Sequence, residues 1–217
     1  SANRGACYQN CRRSYILKDA EEGHEILVDG SYYLSPKDLK TIQFMDQILD
    51  AGVRTLKIEG RARGPEYVQA AVCCYREAVD AVIDGSFGPA LIEDWDKRLA
   101  EVFNRGFWDG WYLGAPVGER TSDYGSQARL SRHYVGYCTN YFKKAGAAEF
   151  VLQAGTLQQG EEILITGPST GALRLIPNEL RVNDKAVGKA DKGEELSFLV
   201  PERVRRNDKL YVLKPRF

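Results

Sequence analysis

The hydrophobic pattern of the chain changes its period once, near residue 131, and this change limits the folds that the chain can adopt. Before residue 131, apolar residues recur every three or four positions in long segments, as in amphipathic helices. After it, short apolar runs alternate with polar residues between Gly, Asn and Asp turns, which predicts strands. The predicted strands are residues 134–141, 149–153, 162–166, 172–176, 179–182, 195–199 and 209–213. Short strands at this density predict a small all-β barrel.

The part of the chain before residue 131 predicts strands that alternate with helices. The predicted strands are residues 25–28, 32–34 and 55–58. A helix is predicted from Ser35, its N-cap, to Ala51, and further helices are predicted over residues 65–84 and 90–103. The order strand, helix, strand, helix predicts parallel pairing through right-handed crossovers.

Two strand–helix units are too few to close an eight-stranded barrel, and the expected domain organisation follows from this number. We expect residues 1–114 to be the end of a larger α/β domain. Residues 115–130, which are polar, are the expected linker, and residues 131–217 are the expected β-barrel domain.

Composition excludes several classes of protein. Lys plus Arg and Asp plus Glu number 30 each, so no global field attracts the chain to nucleic acid or to an anionic membrane. No run of eighteen apolar residues and no basic-then-apolar start is present, so we expect no membrane span and no signal peptide. Five cysteines, an odd number without secretory context, favour a reducing, cytoplasmic compartment.

Two of the cysteines lie close together near the start of the chain. Cys7 and Cys11 are separated by three residues and flanked by arginines, which lower a thiol's pKa. Such thiols suit thiolate chemistry or a soft metal, and the spacing leaves both open. A zinc or iron–sulfur site normally needs four ligands, so other chain would have to complete it. Cys73, Cys74 and Cys138 lie in regular segments, where we expect buried thiols.

Charged residues of both signs follow two of the predicted strands. Lys37 and Asp38 follow one strand, and Glu59 and Arg61 follow the next. Loops after parallel strands converge on one face of a sheet, so these four residues are the candidate catalytic cluster. Lys37 and Arg61 would suit a carboxylate or phosphate, and Asp38 and Glu59 could position them or transfer protons. The alternative is a structural network of ion pairs.

A protease constellation is not evident in the sequence. The two histidines, His24 and His133, lie near no nucleophile elbow, and a His-Glu-x-x-His zinc motif is absent. A pair of Cys7 or Cys11 with His24 is the proteolytic possibility that remains.

The predicted β-barrel could instead be an RNA-binding module without catalysis of its own. Its cations could contact phosphates, and its aromatic residues could stack on bases. These candidates are Lys143, Lys144, Arg174, Arg181, residues 203–206, Tyr137, Tyr141 and Phe142. The alternative is a domain that only packs against the α/β part.

Several motifs, taken in order, resemble the collagenase-like peptidase family U32. They are Cys-x3-Cys-Arg-Arg-x-Tyr over residues 7–15, Tyr-Leu-Ser-Pro-Lys-Asp-Leu over 33–39, Leu-Lys-Ile-Glu-Gly-Arg over 56–61, Pro-Glu-Tyr-Val over 65–68 and Arg-Gly-Phe over 105–107. The resemblance covers residues 1–114. The predicted barrel is similar to the second domain of elongation factor Tu.

The resemblance implies a modified TIM barrel whose first six units would precede Ser1, so a partner of this chain would be the missing N-terminal half of that barrel. Members are called peptidases, a class of hydrolase. Several branches instead hold a 4Fe-4S cluster with four cysteines and hydroxylate tRNA uridine or other substrates, with prephenate implicated as the oxygen donor. We therefore expect RNA and a prephenate-like carboxylate as partners. A homodimer and zinc in place of the cluster are left open.

The resemblance also assigns roles to single residues. It implies that Cys7 is a metal ligand and that Cys11 is one in some branches. Other branches have a ligand cysteine where this chain has Lys40, so the ligand set departs from theirs. The residues expected to bind substrate are Arg12, Arg13, Tyr15, Lys57 and Tyr67.

Overall fold

The computed structural model describes residues 8, 10–28, 34–61, 63–114 and 125–216, with only the backbone of Arg12. The chain divides into two compact units. The mixed unit consists of Ser1–Lys57 and Cys74–Ala128, and the β unit consists of Ile58–Cys73 and Arg129–Phe217. The protein therefore combines helices and strands, with most of the regular structure in strands.

The mixed unit contains short strands, helices and two 3-10 turns. Its strands are β1 (Tyr15–Lys18), β2 (Glu25–Val28), β3 (Asp38–Leu39) and β4 (Phe107–Trp108). Its helices are α1 (Met45–Asp50), the C-terminal half of α2 (Pro65–Asp84) and α3 (Pro89–Glu101), with 3-10 turns at Asn10–Arg12 and Ile42–Phe44. Strands β1 and β2 form an antiparallel hairpin, whereas β3 and β4 pair in parallel.

Helices α2 and α3 and strand β2 confirm the sequence predictions, but two predictions in this unit are wrong. Residues 55–58 form no strand in the described part of the chain. Ser35 does not cap a helix: it is buried, and the helical segment begins only at Ile42, because Asp38 and Leu39 pair with Phe107 and Trp108 instead. The predicted strand 32–34 lies mostly outside the described residues, and Leu34 is in a turn.

The core of the mixed unit is small and centres on Trp95. This side chain is fully buried, and its indole Nε1 donates a hydrogen bond to Glu77 at 3.0 Å. Arg98, one turn after Trp95 on α3, makes a bidentate pair with the same carboxylate. The Arg98 hydrogen bond lowers the pKa of Glu77 below its usual range. The pair thus joins α2 to α3 at the edge of the core.

The β unit is built around one antiparallel sheet of eight strands. Its strands are β5 (Leu130–Phe142), β6 (Ala147–Leu152), β7 (Thr156–Gln158), β8 (Ile163–Gly167), β9 (Gly171–Leu175), β10 (Leu180–Val182), β11 (Lys185–Val187), β12 (Lys189–Asp191), β13 (Glu195–Leu199) and β14 (Lys209–Pro215). The large sheet has the order β11-β10-β13-β6-β5-β14-β8-β9, and β7 pairs with β12. All seven strands predicted after residue 131 are present, and β7, β11 and β12 were missed.

A single hydrophobic core holds the β unit together. Phe150 and Phe198, from adjacent strands, stack with ring centroids 4.9 Å apart. Gly136 on β5 lies so close to β6 that a Cβ there would be 2.1 Å from the Val151 carbonyl oxygen, so only glycine fits. In the described residues the edge strands β9 and β11 do not pair with each other, so hydrogen bonding does not close the sheet into a barrel.

Among the described residues, no helix is both long and apolar enough to cross a bilayer.

Candidate functional site

Lys37 and Asp38 lie where the chain enters strand β3. The Asp38 backbone N–H donates to the Gly106 carbonyl at 2.9 Å, and its carboxylate Oδ2 accepts from the Arg105 N–H at 3.1 Å. The stem of Lys37 passes over Gly106, because a Cβ there would lie 3.5 Å from Lys37 Cδ. Gly106 has a φ of +75°, which favours glycine. Asp38 therefore braces the loop before β4, a structural role in addition to any chemical one.

Lys40 has a defined structural role at the end of β3. Its Nζ lies 2.7 Å from Asp96 Oδ1 on α3 and 5.2 Å from the centre of the Phe107 ring. The lysine side chain is only 15% exposed. A mostly buried amine needs a charged partner, and Asp96 supplies it. Lys40 is thus part of an ion pair, at the position where the resemblance implies a ligand cysteine in some branches of the family.

Glu59 and Arg61 lie in the β unit, in the segment that precedes α2. The Glu59 carboxylate Oε1 accepts a hydrogen bond from the Arg61 backbone N–H at 2.8 Å. Both side chains are exposed, and in the described residues the Arg61 guanidinium has no ion pair. Glu59 thus closes the local turn, and Arg61 presents a cation that can bind an anion. Lys57, just before this segment in the mixed unit, is also exposed.

The first turn of α2 contains a cluster that the sequence did not reveal. The Glu66 carboxylate Oε1 lies 2.6 Å from Arg132 Nη1 on β5, and Arg132 lies 5.4 Å from the Tyr211 ring on β14. Arg63 lies 5.1 Å from the ring of Tyr67. Glu66 and Arg132 are 66 positions apart, so no local pattern could pair them. Tyr67, an expected substrate contact, is half-buried in this cluster.

The described part of the N-terminal segment places only some of its candidate residues. Cys11 is half-buried in the 3-10 turn Asn10–Arg12. Arg13 is exposed, and the Tyr15 hydroxyl donates to the Asn10 carbonyl at 2.5 Å. Cys7 and the Arg12 side chain lie outside the described residues. The tyrosine therefore ties the turn that carries Cys11 to the start of β1.

The described residues do not by themselves fit a four-thiolate metal site. In that part of the chain, no three Cys, His, Asp or Glu side chains are grouped so that they could hold a metal ion. Cys74 and Cys138 are buried, as expected, whereas Cys73 is exposed on α2. Burial, and then the nearby Asp208 carboxylate, raises the pKa of Cys138 to about 11. Cys138 is therefore a protonated core thiol at neutral pH.

Among the described residues, neither histidine contacts both a nucleophile and a carboxylate that would orient it. His24 Nε2 lies 3.0 Å from Glu22 in an exposed turn. His133 Nε2 lies 2.9 Å from the Ser131 hydroxyl, which also lies 3.0 Å from the Lys214 carbonyl. The hydroxyl has one proton, so the tautomer of His133 decides which of the two atoms accepts it. In the described residues no carboxylate orients His133, as the third group of a catalytic triad would.

The candidate residues are distributed over both units. Lys37, Asp38, Lys57, Arg13, Tyr15 and Cys11 belong to the mixed unit, and Glu59, Arg61 and Tyr67 belong to the β unit. Within the units, Asp38 contacts the loop before β4, and Glu59 contacts Arg61 through the backbone. The four-residue catalytic cluster and the substrate contacts therefore remain predictions.

Comparison with known proteins gives a consistent set of relatives. The profile described as peptidase family U32 matches residues 1–122. A protein of Porphyromonas gingivalis (strain W83) named collagenase is 52% identical over 211 residues, which cover 97% of this chain and 51% of that protein. The tRNA hydroxylation protein P1 of Bacillus subtilis is 28% identical over 77% of this chain and 40% of that protein.

The crystal structure of the C-terminal domain of a Geobacillus thermoleovorans U32 peptidase matches with a TM-score of 0.35 and 15% identity, over 37% of this chain and 91% of that chain. The chain spans about half the length of the curated relatives that it matches.

Proposed function

This chain belongs to peptidase family U32, and on that premise we propose that the protein of which it forms part hydroxylates uridine in tRNA. Relatives named for collagenase activity and for tRNA hydroxylation both align with the chain. The observation that carries the choice is the hydrogen bonding of the two histidines. In the described residues, His24 contacts a carboxylate but no nucleophile, and His133 contacts the Ser131 hydroxyl but no carboxylate, so neither completes a hydrolytic triad.

Peptide hydrolysis is the second candidate, because the relative named collagenase is 52% identical to this chain. A hydrolase of this kind would need a nucleophile, for which Cys7 is the candidate in this chain, or a metal-bound water. The proposed hydroxylase would contain iron and sulfide, whereas a peptidase need not contain them. Iron and sulfide analysis of the complete protein therefore distinguishes the two candidates.

The proposed fold of the complete protein is a modified TIM barrel followed by a β-barrel similar to the second domain of elongation factor Tu. The parallel pair β3–β4, with α1, α2 and α3 between its strands, supports a contribution of this chain to the α/β part. The antiparallel sheet of the β unit supports the second part. In a barrel of parallel strands, the loops after the strands converge on one face, where the site is expected.

Substrate binding in this proposal depends on Arg61. Its guanidinium is exposed, and its backbone is held by Glu59, so the side chain can make a bidentate contact with a small carboxylate or with a tRNA phosphate. A prephenate-like carboxylate is the proposed oxygen donor. Lys57, also exposed, adds a second cation two residues before Glu59.

A 4Fe-4S cluster, or zinc in its place, belongs to the proposal for the complete protein. When bound, an iron–sulfur cluster supplies electron transfer. This chain would contribute Cys11, which is half-buried and beside Arg13, together with Cys7. The described residues do not by themselves form a complete ligand set for such a cluster.

Anaerobic preparation of the complete protein, followed by iron and sulfide analysis, tests the proposal directly. We expect both elements in the preparation and hydroxyuridine in tRNA from cells that carry the gene. Arg61→Ala should lower the hydroxyuridine content by about tenfold or more, since a charged hydrogen bond contributes about 1.5–3 kcal/mol. Arg76→Ala, which removes only an exposed pair with Asp80, is the matched control. Absence of iron and sulfide, together with gelatin cleavage that Cys7→Ala abolishes, would establish the peptidase instead.

A further inference from the structure

One end of the β unit gathers loops that are far apart in the sequence. The turn between β5 and β6 and the loop between β13 and β14 are joined there, because the Val200 N–H donates to the Gly146 carbonyl at 2.9 Å. The second loop is also joined to β5, since the Asn207 N–H donates to the Cys138 carbonyl at 2.8 Å. We call residues 142–147 and 199–209 together the loop end of the β unit.

The buried Asp208 fixes the shape of the loop end. Its side chain is 2% exposed and accepts hydrogen bonds from the Arg205 N–H, at 2.7 Å, and from the Thr170 hydroxyl. The carboxylate lies against Gly167, where a Cβ would overlap with Asp208 Oδ1. A loop held in this way loses little conformational freedom when it binds a partner.

The loop end carries an excess of positive charge that is not compensated locally. Six cations lie on it, all of them exposed, and none has an ion pair within the described residues. They are Lys143, Lys144, Arg203, Arg205, Arg206 and Lys209. Glu202 is the exposed acid in the same two segments, since Asp208 is buried.

Two other candidate cations of the β unit are neutralised. Arg174 makes a bidentate contact with Glu162, and Arg181 pairs with Glu179. Of the cations that the sequence suggested for phosphate contacts, these two are therefore poorly available. The suggested phosphate contacts that remain available therefore all lie at the loop end.

An apolar row lies beside these cations. Phe142 pairs with Ala147 across β5 and β6, and Ala147 pairs with Leu199 across β6 and β13, so the three side chains share one face. Phe142 is 42% exposed and Leu199 is 63% exposed. Tyr141, by contrast, packs against the core. An exposed aromatic ring next to lysines provides a stacking surface beside a phosphate-binding surface.

We propose that the loop end of the β unit binds the phosphate backbone of structured RNA and stacks an unpaired base on Phe142. The choice of RNA among polyanions rests on the proposed function. The arrangement is favourable because exposed arginines on a loop that Asp208 holds can contact phosphates while a neighbouring ring accepts a base. The net neutrality of the chain makes this patch, rather than the overall field, the source of affinity.

Titration of the complete protein with an unmodified tRNA transcript over a series of salt concentrations tests the proposal. For Arg203→Ala/Arg205→Ala/Arg206→Ala we expect on the order of 50-fold weaker binding near 0.1 M salt and a salt slope smaller by about 2. Phe142→Ala should weaken binding by about tenfold and leave the salt slope unchanged, because stacking releases no counterions. Since these side chains are exposed, the melting temperatures should stay close to that of the unchanged protein.

The control variant removes charge from the other end of the same unit. Lys185 and Lys192 are exposed, and Lys192 lies beyond the opposite end of β13. Lys185→Ala/Lys192→Ala should keep the affinity and the salt slope. An equal loss in both charge variants, or no loss in the triple variant, would overturn the proposal.

A second polyanion separates RNA from other partners. Vesicles of phosphatidylserine should bind the protein weakly, and the triple variant should bind them no differently. Strong vesicle binding that depends on the three arginines, without an effect on tRNA, would overturn the RNA assignment. Iron and sulfide analysis reports on the hydroxylase proposal independently, so the two proposals can fail separately.

Discussion

The β unit and the mixed unit use their apolar residues in opposite ways. In the β unit, nearly every long strand contributes side chains to one continuous core that includes the Phe150–Phe198 stack. In the mixed unit, the β1–β2 hairpin leaves both of its faces open, with Ile16 62% and Ile26 66% exposed. Trp111, Tyr112 and Leu113 are exposed as well. A unit with this much exposed apolar surface is typical of one that completes its core with another part of a protein.

Expression of the two units as separate fragments should show the largest difference between them, which is a difference in folding. A fragment of residues 129–217 contains the whole β core, so we expect it to fold cooperatively. A fragment of residues 1–128 has a small core around Trp95 and a large apolar surface, so we expect it to aggregate or to remain partly unfolded. Circular dichroism melts and the dispersion of amide NMR signals measure both outcomes. A well-folded, monomeric fragment 1–128 would contradict the comparison.

A change at Asp208 should test how firmly the loops of the β unit are fixed. Asp208→Ala removes the acceptor for the Arg205 N–H and the Thr170 hydroxyl in a buried site, so the free energy of unfolding should fall by about 2–3 kcal/mol. Glu202→Ala, in the same loop but exposed, is the control and should change it by less than about 0.5 kcal/mol. Urea unfolding gives both values, and equal effects would argue against Asp208 as the fixing group.

The smallest expected change in stability concerns the ion pair between Glu77 and Arg98, which joins α2 to α3 in the mixed unit. The hydrogen bond from Arg98 lowers the pKa of Glu77 in the folded state, so its stabilisation is present above the unfolded pKa and is lost as pH falls through the folded pKa. Both side chains are more than a third exposed, which limits the contribution to less than about 1 kcal/mol.

Melting temperatures measured between pH 6 and pH 3 can detect this contribution. Glu77→Gln should lower the melting temperature at pH 6 and reduce its fall toward pH 3, because glutamine does not titrate in this range. Glu93→Gln, which removes an exposed pair with Lys97 on α3, is the control. A parallel pH dependence in Glu77→Gln and the unchanged protein would show that this pair does not couple stability to pH.

The two units also differ in how much of them the sequence predicts. The strands of the β unit that were predicted either alternate between a buried and an exposed face, as β6 and β13 do, or form an apolar run, as β8 does. Strands β7, β11 and β12 were missed; each has three residues, but so does β10, which was predicted, so length alone does not explain the difference. Their pairing depends on partners elsewhere in the chain.

In the mixed unit, distant contacts decide the structure and override local signals. Ser35-Pro36 is a good helix start, yet the chain continues to a parallel pairing with Phe107, about seventy residues away. Residues 55–58 have a strand pattern but no strand partner in the described part of the chain. For the candidate site, the sequence suggested Glu59 and Arg61 as a charged pair, but it could not show that Glu59 bonds the Arg61 backbone or that Glu66 pairs with Arg132.

The Lys40–Asp96 pair affects which substitutions this chain can accept at position 40. Exchange of Lys40 for cysteine in a single step would leave the Asp96 carboxylate without its partner and would remove the amine from the Phe107 ring. The ion pair therefore links the residue types at positions 40 and 96. The two residues should consequently be inherited, and replaced, together.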